Sequence, residues 1–326
     1  MLYPLTFQPR FKDRIWGGRE LERLYGKAIP AGQPIGESWE ISDRPGDASV
    51  IANGPLAGKD LRWLMEHHSA EVLGDAKPAA AGRFPLLCKI LDAREKLSLQ
   101  VHPPAGKAQA LKGEPKTEMW YIADAAPAAS LYVGLKRGVT RAEFEQKIAD
   151  GSVADCFHRI PVHAGDAMFL PSGRVHAIGD GLVIFEIQQN SDTTYRVFDW
   201  NRVGLDGKPR ELHLQQSLAS IDFNDFEPKL APAQYADNGN YQRRQLVQDP
   251  LFAVDEIQVK TAAPIELGAP ALRILAVVQG TVTIVGGDNP LAVELPAGQF
   301  GLIPAGVTNA VIRATPQTTL LSVVGH

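Results

Sequence analysis

The sequence predicts a mainly β protein with a few short helices, arranged as two β units. Three observations carry that prediction. Short apolar runs alternate with Gly, Pro and Asp turns along most of the chain, which is the pattern of strands joined by tight loops. Strand-like runs recur late in the chain, at 252–259, 272–278, 281–285, 291–295, 301–304 and 319–324. One turn pattern also occurs twice: Gly165, Pro171, Gly173 and His176 return 133 residues later as Gly298, Pro304, Gly306 and Asn309. Both copies lie between strand-like runs in the same order, so the chain reads as a duplicated β unit whose second copy has asparagine in place of histidine.

The bulk properties bound the function. A chain of 326 residues, 44% hydrophobic and 21% charged, is ordinary globular material with room for two cores. The net charge of -4 and the lack of any Lys/Arg run exclude a nucleic-acid surface and an acidic-membrane surface, so neither partner is expected. Cys88 and Cys156 are too few for a disulfide framework and read as reduced thiols. No stretch has the length of a membrane span, and the first ten residues lack the pattern of a secretory leader. The expected location is cytoplasmic.

In chain order, residues 1–55 read as strands and loops, with Ile15-Trp16-Gly17-Gly18 and Gly36-Glu37-Ser38-Trp39-Glu40 standing out. Residues 60–73 place Leu61, Leu64, Met65, Val72 and Leu73 at helical spacing, with Gly74 as the stop. His67 and His68 are adjacent, diverge on a helix by about 100° and read as surface residues. Residues 86–91 and 96–101 read as strands, with Lys89 and Lys96 facing solvent as lysines do by default. In the second of these, Ser98, Gln100 and His102 fall on one face, a polar row where an apolar one is expected. Lys96 shares that face and is a candidate phosphate contact. A short helical excursion at 105–112 leads to Lys116 and Glu118, again two apart. Residues 140–150 read as a helix capped by Thr140 and Glu143, with Val139 and Phe144 as a staple. The turn from Gly165 to Gly173 then delivers His176 to the start of a strand. A weakly patterned stretch, about 220–250, is the expected linker, which divides the chain into 1–235 and 236–326.

The polar residues so placed are Gln100, His102, Glu118 and His176: an amide oxygen, two imidazoles and a carboxylate. Such a mixed set suits zinc, with iron, manganese or cobalt as substitutes. His158 and His163 are rival ligands but do not fall on the motif's fixed position. His213 begins a helical stretch, and His326 is terminal.

The Gly165 to His176 pattern resembles the second cupin motif. Gln100-x-His102 followed by Lys116-x-Glu118, and the segment Glu186 to Arg196 (Glu-Ile-Gln-Gln-Asn-Ser-Asp-Thr-Thr-Tyr-Arg), resemble type I phosphomannose isomerases more specifically, in their shorter bacterial form. The resemblance runs from Ile15 to the C-terminus. It implies two cupin-type (jelly-roll) β-barrels and a metal centre in the first, holding one Zn²⁺ or another divalent ion. It implies an active-site arginine at Arg196 and pocket-wall roles for Trp16 and Glu37, with Ser98 and Lys96 beside them for the substrate. A small sugar phosphate is the implied partner, and the expected assembly is a monomer or weak homodimer.

The implied reaction interconverts mannose 6-phosphate and fructose 6-phosphate. An aldose becomes a ketose when the weakly acidic C2 proton leaves and a proton returns at C1, and the difficulty is the negative charge on the enediolate oxygens. A divalent Lewis acid meets that need without redox chemistry. Lys116 leads as the proton-transfer group, followed by Glu186 and Asp192. Arg196 offers a donor fork to a phosphate or an oxyanion. Two alternatives remain at this level: another metal cupin such as a dioxygenase, which would normally show His-x-His where Gln100 stands, and a non-catalytic sugar-phosphate sensor, which would not need Lys116 and Glu118.

Overall fold

The computed structural model describes residues 2–286 and 289–326. Its strands form four antiparallel sheets. A six-stranded sheet runs Arg10–Gly18, Ile35–Ile41, Leu86–Ala93, Leu182–Gln189, Glu118–Ala125, Ala167–Leu170, and a five-stranded sheet runs Tyr195–Phe198, Leu99–Val101, His176–Ile178, Ser130–Leu135, Phe157–Pro161. Apolar side chains from both, among them Leu91, Trp120, Ile184, Leu131, Val133 and Ile178, share one buried cluster, so the two sheets enclose a first barrel.

The remaining sheets use the later strands. One has seven strands, from Leu5–Thr6 and Phe300–Ile303 at one edge to Tyr241–Gln248 and Ala236–Asp237 at the other; the second has four, built from 265–314. The first strand of the chain thus belongs to the later sheet, with Leu5 opposite Leu302. Alternation then explains the join between the units. In Leu182–Gln189, Phe185 and Ile187 point away from the first barrel and pack with Cys88, Met119 and Tyr121 against the later strands. Phe185 stacks on Phe300 at 5.5 Å and meets Tyr25 edge-on. The central strands of the six-stranded sheet are therefore buried on both faces, and a polar residue within them must find a partner.

The two helices read from periodicity form as Leu61–Leu73 and Arg141–Asp150. Asp60 accepts from Trp63 N to start the first, and Thr140 accepts from Glu143 N to start the second. His67 and His68 pack on Trp63 at the surface. The excursion after Pro104 is a single turn, Ala105–Ala108.

Two expectations are corrected. Lys96 to Ser98 are not strand; only Leu99–Val101 is. The carbonyls of Lys96 and Leu97 accept from the side chains of Arg202 (2.6 Å) and Trp200 (2.6 Å) rather than from a neighbouring strand. Within the expected linker, Tyr241–Gln248 is a full strand of the seven-stranded sheet, paired with Phe252–Val259. Its solvent face carries Arg243, Gln245 and Gln248, which hid the alternation of buried Arg244 and Leu246. The second copy of the turn pattern also diverges from the first: Asn309 is exposed at φ 54°, and the next strand starts only at Val311.

Candidate active site

The site is assembled from strand faces. On the five-stranded sheet, Arg196 lies opposite Gln100, and Gln100 opposite His176, so the three stand in one row across neighbouring strands. On the six-stranded sheet, Trp39 is opposite Lys89, Lys89 opposite Glu186, and Glu186 opposite Trp120, while Glu118 is opposite Gln188 in the next row. Both rows face the barrel interior. The first two strands of the six-stranded sheet approach closely at Gly17 and Gly36: a Cβ on Gly17 would collide with the Gly36 backbone, and one on Gly36 with the Trp16 ring.

At the centre, His102, Glu118 and His176 are all buried, and their donor atoms lie within 4.8 Å of one another. His102 Nδ1 is 2.8 Å from the Thr193 carbonyl and His176 Nδ1 is 3.0 Å from the Arg174 carbonyl. A carbonyl only accepts, so each Nδ1 carries the proton and each Nε2 presents a lone pair. Those lone pairs face Glu118, at 3.5 Å from His102 and 3.3 Å from His176. His102 Nε2 and both Glu118 oxygens are buried without a hydrogen bond. Burial pushes the His102 imidazole down to about 4, with Lys116 adding to the effect, and lowers His176 likewise. Burial works to raise the Glu118 carboxyl, yet Lys116 and the two histidines hold it well below its ordinary range. Two lone pairs and a carboxylate packed together without a proton between them fit a bound cation, and the nitrogen and oxygen donors suit a divalent transition metal.

Gln100 completes the cluster. Its Nε2 lies 3.3 Å from His176 Nε2, and Ser98 Oγ lies 3.4 Å from its Oε1. Turning the amide over would present Oε1 to the same centre. Lys116 Nζ is 2.8 Å from Glu118 Oε2, a charge pair that stands between the centre and a cavity of about 610 Å³. That cavity is lined by Trp16, Glu37, Ser98, Gln100, Lys116, Glu186, Asp192 and Arg196 among others. Lys96 is not among its lining residues; its ammonium sits 4.1 Å over the Trp200 ring.

The walls hold further charge pairs. Lys89 is a correction: instead of facing solvent it is 4% exposed, with Nζ 3.1 Å from Glu186 and 3.9 Å from Glu37. Glu186 also accepts from Trp120 Nε1 at 3.0 Å, and Glu37 from Trp39 Nε1 at 2.6 Å and Arg14 Nε at 2.9 Å. Burial raises the Glu37 carboxyl, but Lys89 and Arg14 outweigh it and bring the group down to about 2. Arg196 is lowered by burial and by neighbouring Arg210, and its Nε is buried without a partner. Arg210 is itself held by a bidentate pair with Asp199. The sequence reading missed Lys89, Arg14 and Arg210 at this cavity. Lys89 carried a usable signal, a single lysine inside Leu86-Leu87-Cys88-Lys89-Ile90-Leu91, where both strand faces are apolar.

Comparison with known proteins agrees with this architecture. Residues 5–125 match the family model described as phosphomannose isomerase type I, catalytic domain. The chain is 36% identical over 319 residues to the probable mannose-6-phosphate isomerase GmuF of Bacillus subtilis, covering 97% of this chain and 98% of that protein. It is 37% identical over 286 residues to the mannose-6-phosphate isomerase of Streptococcus mutans, covering 87% and 88%. The crystal structure of the mannose 6-phosphate isomerase from Bacillus subtilis superposes with a TM-score of 0.88 at 32% identity, covering 99% of both chains. A phosphomannose isomerase mutant from Salmonella typhimurium shares the fold at a TM-score of 0.76 and 18% identity, covering 99% of this chain and 100% of that one.

Proposed function

The chain belongs to the type I phosphomannose isomerase family, and from that premise we infer that it is an aldose–ketose isomerase acting on mannose 6-phosphate and fructose 6-phosphate. The observation that carries the reading within this molecule is the buried cluster of His102, Glu118 and His176, which offers only acceptors to its centre, behind the Gln100 and Lys116 side chains of a cavity that Arg196 also lines. We assign Zn²⁺ to that cluster, held by His102, Glu118 and His176 with the Gln100 amide oxygen beside them. When bound, the ion supplies a Lewis acid for the negative charge that isomerisation builds on the sugar oxygens.

The chain's own residues do the rest. Lys116 is the first choice to move the proton between C2 and C1: its ammonium is anchored at 2.8 Å on Glu118 and lines the cavity. Glu186 is the second, in contact with Lys89 Nζ and Trp120 Nε1, and Asp192 the third, an exposed residue of the cavity lining. Arg196 lines the cavity and is assigned to the developing oxyanion or the phosphate. Trp16, Glu37 and Ser98 shape the wall against which the sugar lies, with Lys96 outside that wall. Among the described residues no helix is long and apolar enough to cross a membrane.

The test is a coupled assay of fructose 6-phosphate formation from mannose 6-phosphate, on one preparation stripped with chelator and then restored with zinc. Activity should vanish and return. A chelated protein that keeps full turnover would remove the metal from the reading, and a protein inactive with every divalent ion would remove the isomerase. In the restored protein, Arg196→Ala should keep its metal and lower kcat by about 10²-fold or more, in line with losing one oxyanion donor. Normal turnover in that variant would take Arg196 out of the mechanism.

A further inference from the structure

A second recess, of about 270 Å³, opens near the start of the helix Leu61–Leu73 and is separate from the cavity described above. Four arginines line it, Arg10, Arg44, Arg62 and Arg83, against two carboxylates, Asp43 and Asp60, so the lining carries a formal charge of +2 (four minus two). Both carboxylates are already engaged by the main chain. Asp43 is 2% exposed and accepts from Phe84 N at 2.8 Å, with Arg62 at 3.2 Å from the same oxygen. Asp60 accepts from Trp63 N at 2.7 Å as the helix cap. Arg44 and Arg62 also reach outward, to Glu114 at 2.6 Å and Glu66 at 3.3 Å.

Donors remain over. Arg83 is half-buried and makes no side-chain hydrogen bond or ion pair with any described residue, whereas the Arg62 nitrogens already face Asp43, Glu66 and the Gly82 carbonyl. A guanidinium fork that lacks an acceptor inside a concave, partly desolvated site matches the geometry of an oxyanion. We propose that this recess binds a small dianionic oxyanion of the phosphate class, with Arg83 as its principal donor.

Size and position agree. The volume equals roughly nine water volumes of about 30 Å³ each, enough for a phosphate ion or the phosphate end of a sugar phosphate. Arg44 links the recess to the catalytic cavity: besides Glu114 it donates to the Asn190 carbonyl at 2.9 Å. Glu114 precedes Lys116 by two residues and Asn190 precedes Asp192 by two, so one guanidinium joins the recess to both loops.

The experiment titrates the full chain with inorganic phosphate by calorimetry, for the wild type and for Arg83→Met, and measures KM for mannose 6-phosphate in both. The binding arm does not depend on the isomerase reading. The wild type should show a phosphate-binding event that Arg83→Met weakens about tenfold or more, as expected for losing a charge-assisted donor, with KM unchanged. Because Arg83 makes no side-chain hydrogen bond or ion pair with any described residue, the variant should fold with an unaltered Tm, and Arg10→Met, at a guanidinium already held by the Ala48 carbonyl and Asp47, serves as a second variant with a smaller expected loss. An isotherm identical in wild type and Arg83→Met overturns the proposal. A loss matched by an equal rise in KM places the phosphate in the catalytic cavity and overturns it too. Repeating the titration with glucose 6-phosphate separates the sources: an Arg83-dependent event with the sugar phosphate makes that the occupant, and one with inorganic phosphate alone makes the free ion the occupant, both in support of the oxyanion site.

Discussion

His176→Ala, like His102→Ala, is expected to lose bound metal and activity together. Each ring is oriented by its Nδ1 contact to a carbonyl, Thr193 for His102 and Arg174 for His176, so each delivers one lone pair to a fixed point. Removing either takes away one of the two imidazole donors to the proposed ion, and the vacated volume admits water in its place. Metal binding also stabilises the fold that holds the site, by RT ln(1 + [L]/Kd), so the wild type should melt higher with zinc than without. The variant should lose that increment as well. The check is metal content by atomic emission, turnover and the zinc-dependent shift in Tm, on the same protein. A variant with a full complement of metal and no turnover would move His176 from holding the ion to some other task.

The second large effect is on Lys89, and it falls on stability as well as on turnover. Lys89→Met removes the one cation between Glu186 and Glu37 in a layer where both faces of the strand are buried. Breaking a buried pair by deleting one partner costs about 3–5 kcal/mol, because Glu186, 4% exposed, is left as a charge without its cation. Glu186→Gln in the same chain should recover much of that loss, since the amide no longer needs a counter-ion, while activity stays low. Equal instability of single and double variants in urea titrations would mean that packing, not charge, is what Lys89 contributes. The acid limb reports on the same group. With a folded value of about 2 against an ordinary value near 4.5, Glu37 stabilises the wild type above pH 4.5 and loses that contribution as pH falls toward 2. In Lys89→Met the folded value rises, so the contribution shrinks at neutral pH and its loss spans a narrower range.

The candidate metal cluster was legible because side-chain spacing at and just beyond a strand end is a local rule. Gln100 and His102 are two apart, as are Lys116 and Glu118, and Pro171 and Gly173 announce the turn that begins the strand at His176. Sharing a face therefore needed no knowledge of which strand lies beside which. The helices at 61–73 and 141–150 were legible for the same reason, through cap residues and apolar spacing within one turn.

Lys96 and Lys89 show where that reasoning stops. Lys96 looked like a strand residue on the face of Ser98, but the Arg202 and Trp200 side chains, more than a hundred residues on, take the local carbonyls and end the ladder. Lys89 looked like a solvated lysine, and only the placing of Leu182–Gln189 beside it supplies Glu186. Tyr241–Gln248 looked like a linker because its outward residues are polar, and its pairing with Phe252–Val259 makes it a strand.

By itself the sequence determined the mainly β class, the spacing that brings His102, Glu118 and His176 to one interior, and the duplicated turn with Asn309 in its second copy. The tertiary structure alone decided that Lys89 is buried, that Arg14 and Arg210 reach the cavity, and that Arg83 finds no acceptor among the described residues. The division follows from range: periodicity and capping act over two to four residues, whereas the burial and charge partners of a side chain are set by neighbours far along the chain.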